Sequence, residues 1–191
     1  MIICIIGAAG SGKTTIGRRL ATHLQSGWVD VSAVVEKISG TRKHIDGRKK
    51  LQSLHKSIEQ DNPNWLAIPL CQQVDAELKE YGLCVVVGFR EPYLLYSLQT
   101  KVVPTLVFYL DVDPFRRYCR LCERDGFISV ETFQENDKGD EKLGLSIIKQ
   151  GKQHHLIDAN HSVEEVVNSI EVVLFQNGIR SPRKLGEKQC K

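Results

Sequence analysis

The sequence has no apolar run near the roughly 18 residues that would suggest a membrane span. Its longest, Met1 to Ala9, is interrupted at Gly7. The start of the chain also lacks the basic segment of a secretory leader, so no membrane association and a cytoplasmic location are expected. Cysteines are few and scattered: Cys4, Cys71, Cys84, Cys119, Cys122 and Cys190 do not form the close-spaced framework of a secreted scaffold and read as reduced thiols. Cys119 and Cys122 have the spacing of half a zinc site, but no second Cys or His pair stands at a compatible distance. With Gly 15 and Pro 6 the chain is not fibrous, and 41% hydrophobic against 26% charged residues excludes disorder throughout. Strong net charge is missing too. The total is +3, and the basic excess sits in the tail, where Arg180, Arg183, Lys184, Lys188 and Lys191 face only Glu187. That tail, 179–191, reads as a flexible solvated terminus or as an arm for a polyanion. The 191 residues suit one domain, 1–178, and contain no internal repeat.

What is present is an alternation of short buried strands and amphipathic helices. Met1 to Ile6 is an Ile-rich strand, and Lys13 to Leu24 carries Ile16, Leu20, Ala21 and Leu24 at helical spacing. Trp28 to Val31 reads as a second strand, followed by a helix that Ser32 can cap and Gly40 ends. Thr41 to Lys50 is basic and expected to be exposed. Pro63 can open a long helix that ends at Gly82. Strands are expected at Leu83 to Val87, Val102 to Leu110 and His155 to Asp158, with helices from Asp113-Pro114 to about Arg124 and from Val163 to Phe175. Val130 to Lys149 suggests mobile helical pieces. Five strands alternating with helices imply a three-layer α/β fold around a mostly parallel, five-stranded sheet.

Gly7-Ala8-Ala9-Gly10-Ser11-Gly12-Lys13-Thr14 satisfies G-x-x-x-x-G-K-[ST] between a strand and a helix, the context that gives this motif its meaning. Backbone amides of Gly7 to Gly12, with Thr15 after the motif, would cradle the phosphates of ATP at the positive end of the helix. Lys13 would reach the β- and γ-phosphates, and the Thr14 hydroxyl would ligate Mg²⁺. A strand ending in Asp-x-x-Gly and an Asn-Lys-x-Asp segment are both missing, which argues against a switch GTPase.

On these residues, and on three further segments, Met1 to Glu165 resembles the nucleoside monophosphate kinase-like branch of P-loop kinases, especially dephospho-coenzyme A kinases and phage deoxynucleotide kinases. Val85-Val86-Val87-Gly88-Phe89-Arg90-Glu91-Pro92 resembles the strand-to-arginine segment of that branch, which makes Arg90 a contact for the acceptor or the transferred phosphate. Asp113 to Arg124 resembles the entrance of the family's helical lid, here about 116–145. Arg117, Arg120 and Arg124 share one helical face, where they would close over ATP and stabilise charge on the γ-phosphoryl group. Glu131 to Glu141 resembles the helix after the lid, its charges forming a solvated face. Asp158 to Ser162, with Asn160, resembles the loop that brackets adenine.

Asp30 departs from the adenylate kinase pattern, because the third strand carries Val87 where those enzymes have an acid. By resemblance, dephospho-coenzyme A kinases place an aspartate at the end of the second strand. Asp30 is then a general base for a hydroxyl acceptor, a carboxylate on the metal side, or a helix cap. The resemblance implies an ATP-dependent kinase with a nucleotide-like acceptor. A nucleoside monophosphate comes first among candidates. A hydroxymethylated pyrimidine in DNA, held through residues 42–56 and the basic tail, and dephospho-coenzyme A or another alcohol are the alternatives.

Overall fold

The computed structural model describes residues 1–40, 64–151 and 154–179. The basic stretch with Arg42, Lys43, Arg48, Lys49, Lys50 and Lys56, the helix start at Pro63, and the tail from Arg180 lie outside these residues.

In chain order the elements are β1 (Ile2–Ile6), α1 (Lys13–Leu24), β2 (Gly27–Asp30), α2 (Val31–Ser39), α3 (Ala67–Tyr81), β3 (Cys84–Val87), α4 (Pro92–Gln99), β4 (Thr105–Asp111), α5 (Pro114–Asp125), α6 (Val130–Lys142), α7 (Leu145–Gln150), β5 (His155–Asp158) and α8 (Val163–Gln176). The strands form one sheet in the order β2-β3-β1-β4-β5, and every pairing is parallel. β1 is central, with Ile5 opposite Val87 on one side and Phe108 on the other.

Period-two alternation sorts the β1 side chains between two cores. Ile2, Cys4 and Ile6 face α2, α3, α4 and α7, where they meet Val34, Leu70, Leu94 and Ile148. Ile3 and Ile5 face α1 and α8, where they meet Leu20, Val167 and Ile170. Both faces of the sheet are therefore covered by helices, which is why the inner strands β1 and β3 are continuously apolar rather than alternating. Pro69 sits in the first turn of α3, where its missing N–H removes no helical bond.

Several boundaries differ from expectation for local reasons. The cap of α2 is Asp30, whose Oδ1 accepts from the Ser32 amide at 2.9 Å; Ser32 supplies only its backbone. β4 begins at Thr105 rather than Val102, because Pro104 has no N–H for the ladder and offers only its carbonyl, to the Ile2 amide at 2.9 Å. Helix α4 was not anticipated: Pro92 occupies its first turn, and Leu94, Leu95 and Leu98 bury its inner face. Residues expected as mobile helical pieces form α6 and α7, anchored by Phe133, Asp140, Leu145 and Ile148. At the far end, Ser162 and Glu165 form a reciprocal capping box at the start of α8.

Candidate active site

The G-x-x-x-x-G-K-T segment joins the C-terminal end of β1 to α1, the edge at which open α/β sheets bind ligands. Gly12 is the N-cap of α1, with φ at 89° and no side-chain hydrogen bond to the first turn. The opening amides of this helix thus point where an anion is best stabilised. Lys13 Nζ folds back to donate to the Ala8 carbonyl at 2.7 Å and lies 3.4 Å from Ser11 Oγ. Its ammonium is therefore held at the loop. Thr14 and Thr15 are exposed on the first turn of α1.

Asp30 stands at the end of β2, in register with Val87 of β3, and Val87 is in register with Ile5 of β1. Its backbone is thus about 10 Å, two strand spacings, across the sheet from the strand that opens the phosphate loop. Gly88 lies against the Asp30 carboxylate: its φ is +97°, and a β-carbon there would stand 3.1 Å from Asp30 Oδ1. The cap uses Oδ1, so capping does not occupy both oxygens of Asp30.

The arginines have separate fates. Arg117 is buried and donates to both oxygens of Asp137, at 2.8 and 2.6 Å, and to the Ala9 carbonyl at 3.1 Å. Burial disfavours its charge, but the Asp137 hydrogen bonds and field outweigh this and raise its pKa. The guanidinium also stacks over Phe133 at 5.0 Å. Arg120 donates one terminal nitrogen to the Ala159 carbonyl at 3.2 Å, while the other lies 3.8 Å from where a β-carbon on Gly12 would be. Arg120 is thereby brought beside the phosphate loop, as Arg117 is through Ala9. Arg124 is turned outward and paired with its neighbour Asp125, whose hydrogen bonds raise its pKa. Arg116, not singled out by sequence, donates to the Asn160 carbonyl at 2.8 Å, and Asn160 Oδ1 accepts from the Asp113 amide at 2.9 Å. These contacts join the ends of β4 and β5 beside the loop.

Arg90 lies beyond β3, with Nε 2.7 Å from Asp140 Oδ1. Asp140 is 1% exposed, and its Oδ2 accepts from the Ala9 amide at 3.2 Å. The acidic stretch of α6 is therefore not simply a solvated face: Asp137 and Asp140 point inward. Their signal in the sequence was two aspartates one helical turn apart beside an apolar Phe133, a pattern that fits a buried stripe as well as a wet one. Ala9, Leu121 and Phe133 form a small third core that seats α5 and α6 on the loop.

The donor chemistry at Thr14 fits Mg²⁺, a hard cation that takes oxygen ligands and keeps several waters. Among the described residues no group of three or more His, Cys, Asp or Glu is assembled as a metal cage. A cation held by Thr14 would complete its shell with phosphate oxygens and water.

Curated relatives match over a short segment. A shikimate kinase of Gloeobacter violaceus is 50% identical over 38 residues, 20% of this chain and 22% of that one. One of Corynebacterium diphtheriae is 49% identical over 39 residues, again 20% and 22%. The chain thus spans 22% of the length of these relatives. Likeness of fold extends much further. Shikimate kinase from Acinetobacter baumannii in complex with shikimate superposes with a TM-score of 0.62 at 17% identity, covering 94% of this chain and 95% of that one. A gluconokinase from Sinorhizobium meliloti 1021 gives 0.56 at 14% identity, covering 98% and 97%. The Deinococcus radiodurans tunicamycin resistance protein gives 0.60 at 21% identity, covering 94% and 96%. The parallel five-stranded sheet is therefore one shared with P-loop kinases. The AAA_18 family, described as an AAA domain, matches residues 3–136, which takes in the phosphate loop, Asp30, Arg90 and the arginine helix, and the chain belongs to that family.

Proposed function

We propose that the protein is an ATP-dependent kinase that moves the γ-phosphate to a hydroxyl group on a small acceptor. The observation that carries this reading is the placement of Asp30: an acid at the C-terminal end of β2, two strands from the one that opens the phosphate loop, with Gly88 beside it. An acceptor hydroxyl needs a group to orient it and take its proton, whereas a phosphate monoester does not. The names of the relatives, shikimate and gluconate kinases, lean the same way.

In this mechanism the loop amides and Lys13 hold the β- and γ-phosphates, and Arg120 lies over the charge that builds during transfer. Bound Mg²⁺ would supply positive charge across the β- and γ-phosphates. The acceptor oxygen forms its bond to the γ-phosphorus as the bond to the bridging oxygen breaks. ADP leaves, and the hydroxyl proton passes to the Asp30 carboxylate.

A nucleoside monophosphate acceptor is the second reading, favoured by the guanidinium of Arg90 beyond β3. It is weakened by the Asp140 carboxylate already balancing that charge. The test is transfer of label from γ-labelled ATP with Mg²⁺ to a panel of shikimate, gluconate, dephospho-coenzyme A, deoxynucleoside monophosphates and hydroxymethylated duplex DNA. Label in a small alcohol is the expected result. Label only in a mononucleotide would replace the first reading by the second, and label only in DNA would overturn both. Lys13→Ala should abolish transfer with the fold intact.

A further inference from the structure

The two aspartates of α6 hold one residue of the phosphate loop, Ala9, at both of its backbone polar groups. Asp140 accepts from the Ala9 N–H, while Asp137 fixes the guanidinium of Arg117, which donates to the Ala9 C=O. Residues three apart on a helix share a face, so one rigid element fixes the two peptides that flank Ala9. Asp140 does more, because its second oxygen is 2.7 Å from Arg90 Nε. A single buried carboxylate therefore touches the loop that receives the donor and the arginine beyond β3.

We infer that Asp140 is a positioning residue, which registers the phosphate loop against Arg90 through its two oxygens. The inference rests on the kinase reading, which makes the loop the donor site, and takes Arg90, just beyond β3, as a guanidinium that meets the transferred phosphate. The contacts suit this role. Both partners are fixed by short elements, Ala9 by the turn after β1 and Arg90 by the segment between β3 and α4. Among the described residues, no hydrogen bond engages the two terminal nitrogens of Arg90. Asp140 thus aims the guanidinium without consuming those donors. A carboxylate is needed rather than an amide, because the partner is a cation at a site almost closed to water.

The experiment compares the full chain with Asp140→Asn, Asp140→Ala, Arg90→Ala and the Asp140→Asn/Arg90→Ala double variant. The probes are MgADP binding by calorimetry and turnover of MgATP by hydrolysis, with water as acceptor. Asn retains an oxygen for the Ala9 amide but presents no anion to Arg90. Asp140→Asn is expected to bind MgADP within about 3-fold of the unaltered protein while its turnover at saturating MgATP falls about 30-fold or more. Asp140→Ala loses both contacts and should also weaken MgADP by about 10-fold. In the double variant, turnover should fall no further than in Arg90→Ala alone, the non-additivity expected of residues acting as one unit. A merely structural role would lower thermal stability and give additive losses. Additive losses, or an Asp140→Asn variant with undiminished turnover, would overturn the inference while leaving the kinase reading in place. If the unaltered protein neither binds MgADP nor turns over MgATP, both fall together. Should Asp140→Ala fail to fold, the comparison of Asp140→Asn with the double variant still decides.

Discussion

Gly10 lies directly against the backbone of Arg117: a β-carbon on Gly10 would stand 2.6 Å from the Arg117 carbonyl oxygen and 3.1 Å from its Cα. Gly10 also has φ at +78°, where an L side chain is strained. Sequence motif and tertiary packing thus require glycine for separate reasons. Gly10→Ala is expected to cost about 1–2 kcal/mol in backbone strain alone. It must also push α5 off the loop, so the melting temperature should fall by several degrees and the stabilising shift caused by MgADP should shrink. Thermal melts with and without MgADP check this; unchanged values in both would remove the contact from any account of the loop.

Asp30→Asn separates the two roles of that side chain. Asparagine caps helices about as well as aspartate, so α2 should keep its start and stability should change by less than ~0.5 kcal/mol. It cannot take a proton from an acceptor hydroxyl, and turnover with the preferred acceptor should fall ~100-fold or more. Full activity in a normally stable Asp30→Asn protein would restrict Asp30 to its capping role.

Cys4 and Cys84 lie in neighbouring central strands and have no solvent exposure. Burial pushes the Cys84 thiol up to about 12, with the charge of Glu77 adding to the effect, and burial also raises the Cys4 thiol. Cys119 and Cys122 are half-buried on α5. In the native protein at pH 8, iodoacetamide should therefore modify Cys119 and Cys122 while sparing Cys4 and Cys84, and denaturant should make all four reactive. Peptide mass spectrometry reads the order, and equal native labelling would contradict the packing of the sheet.

The capping box of α8 predicts an acid limb of stability. Hydrogen bonds from the Ser162 hydroxyl and amide hold the Glu165 carboxyl below its ordinary range. At Asp158 the Asn160 backbone amide and then its side chain act in the same direction. A carboxylate whose folded pKa is depressed contributes stability above its unfolded value, near pH 4, and loses it as the pH falls through the folded value. Melting temperature should thus decline below about pH 4.5. Glu165→Gln preserves the box geometry and should flatten part of that decline with little change at pH 7. An unaltered slope in the variant would contradict the assignment.

What was legible in the sequence was contiguous. The phosphate loop, the span of α1 and the limits of β5 follow from neighbours a few residues apart. Arg117 shows where such reading stops. The helical spacing aims it at ATP, yet its guanidinium is paired with Asp137, beyond the next turn and in another helix. Arg90 is the same case at greater range, since Asp140 meets it only after α4, β4 and α5 have been laid between them. Helix α4 was hidden differently: Leu94, Leu95 and Leu98 carry a helical pattern, but the segment is short and begins inside the stretch that had been given its meaning by Arg90.

The bond from Ala9 to Asp140 spans 131 residues, and this has a bearing on biosynthesis. The phosphate loop is translated well before the carboxylate that fixes it, which comes only at position 140. β1 likewise waits in the nascent chain for both strands that will flank it, the second of them ending at Asp111. Such late closure delays the gain from long-range contacts until much of the entropy has been lost. A translating chain stopped before α6 therefore carries the whole phosphate-loop motif without the Asp140 contact to Ala9.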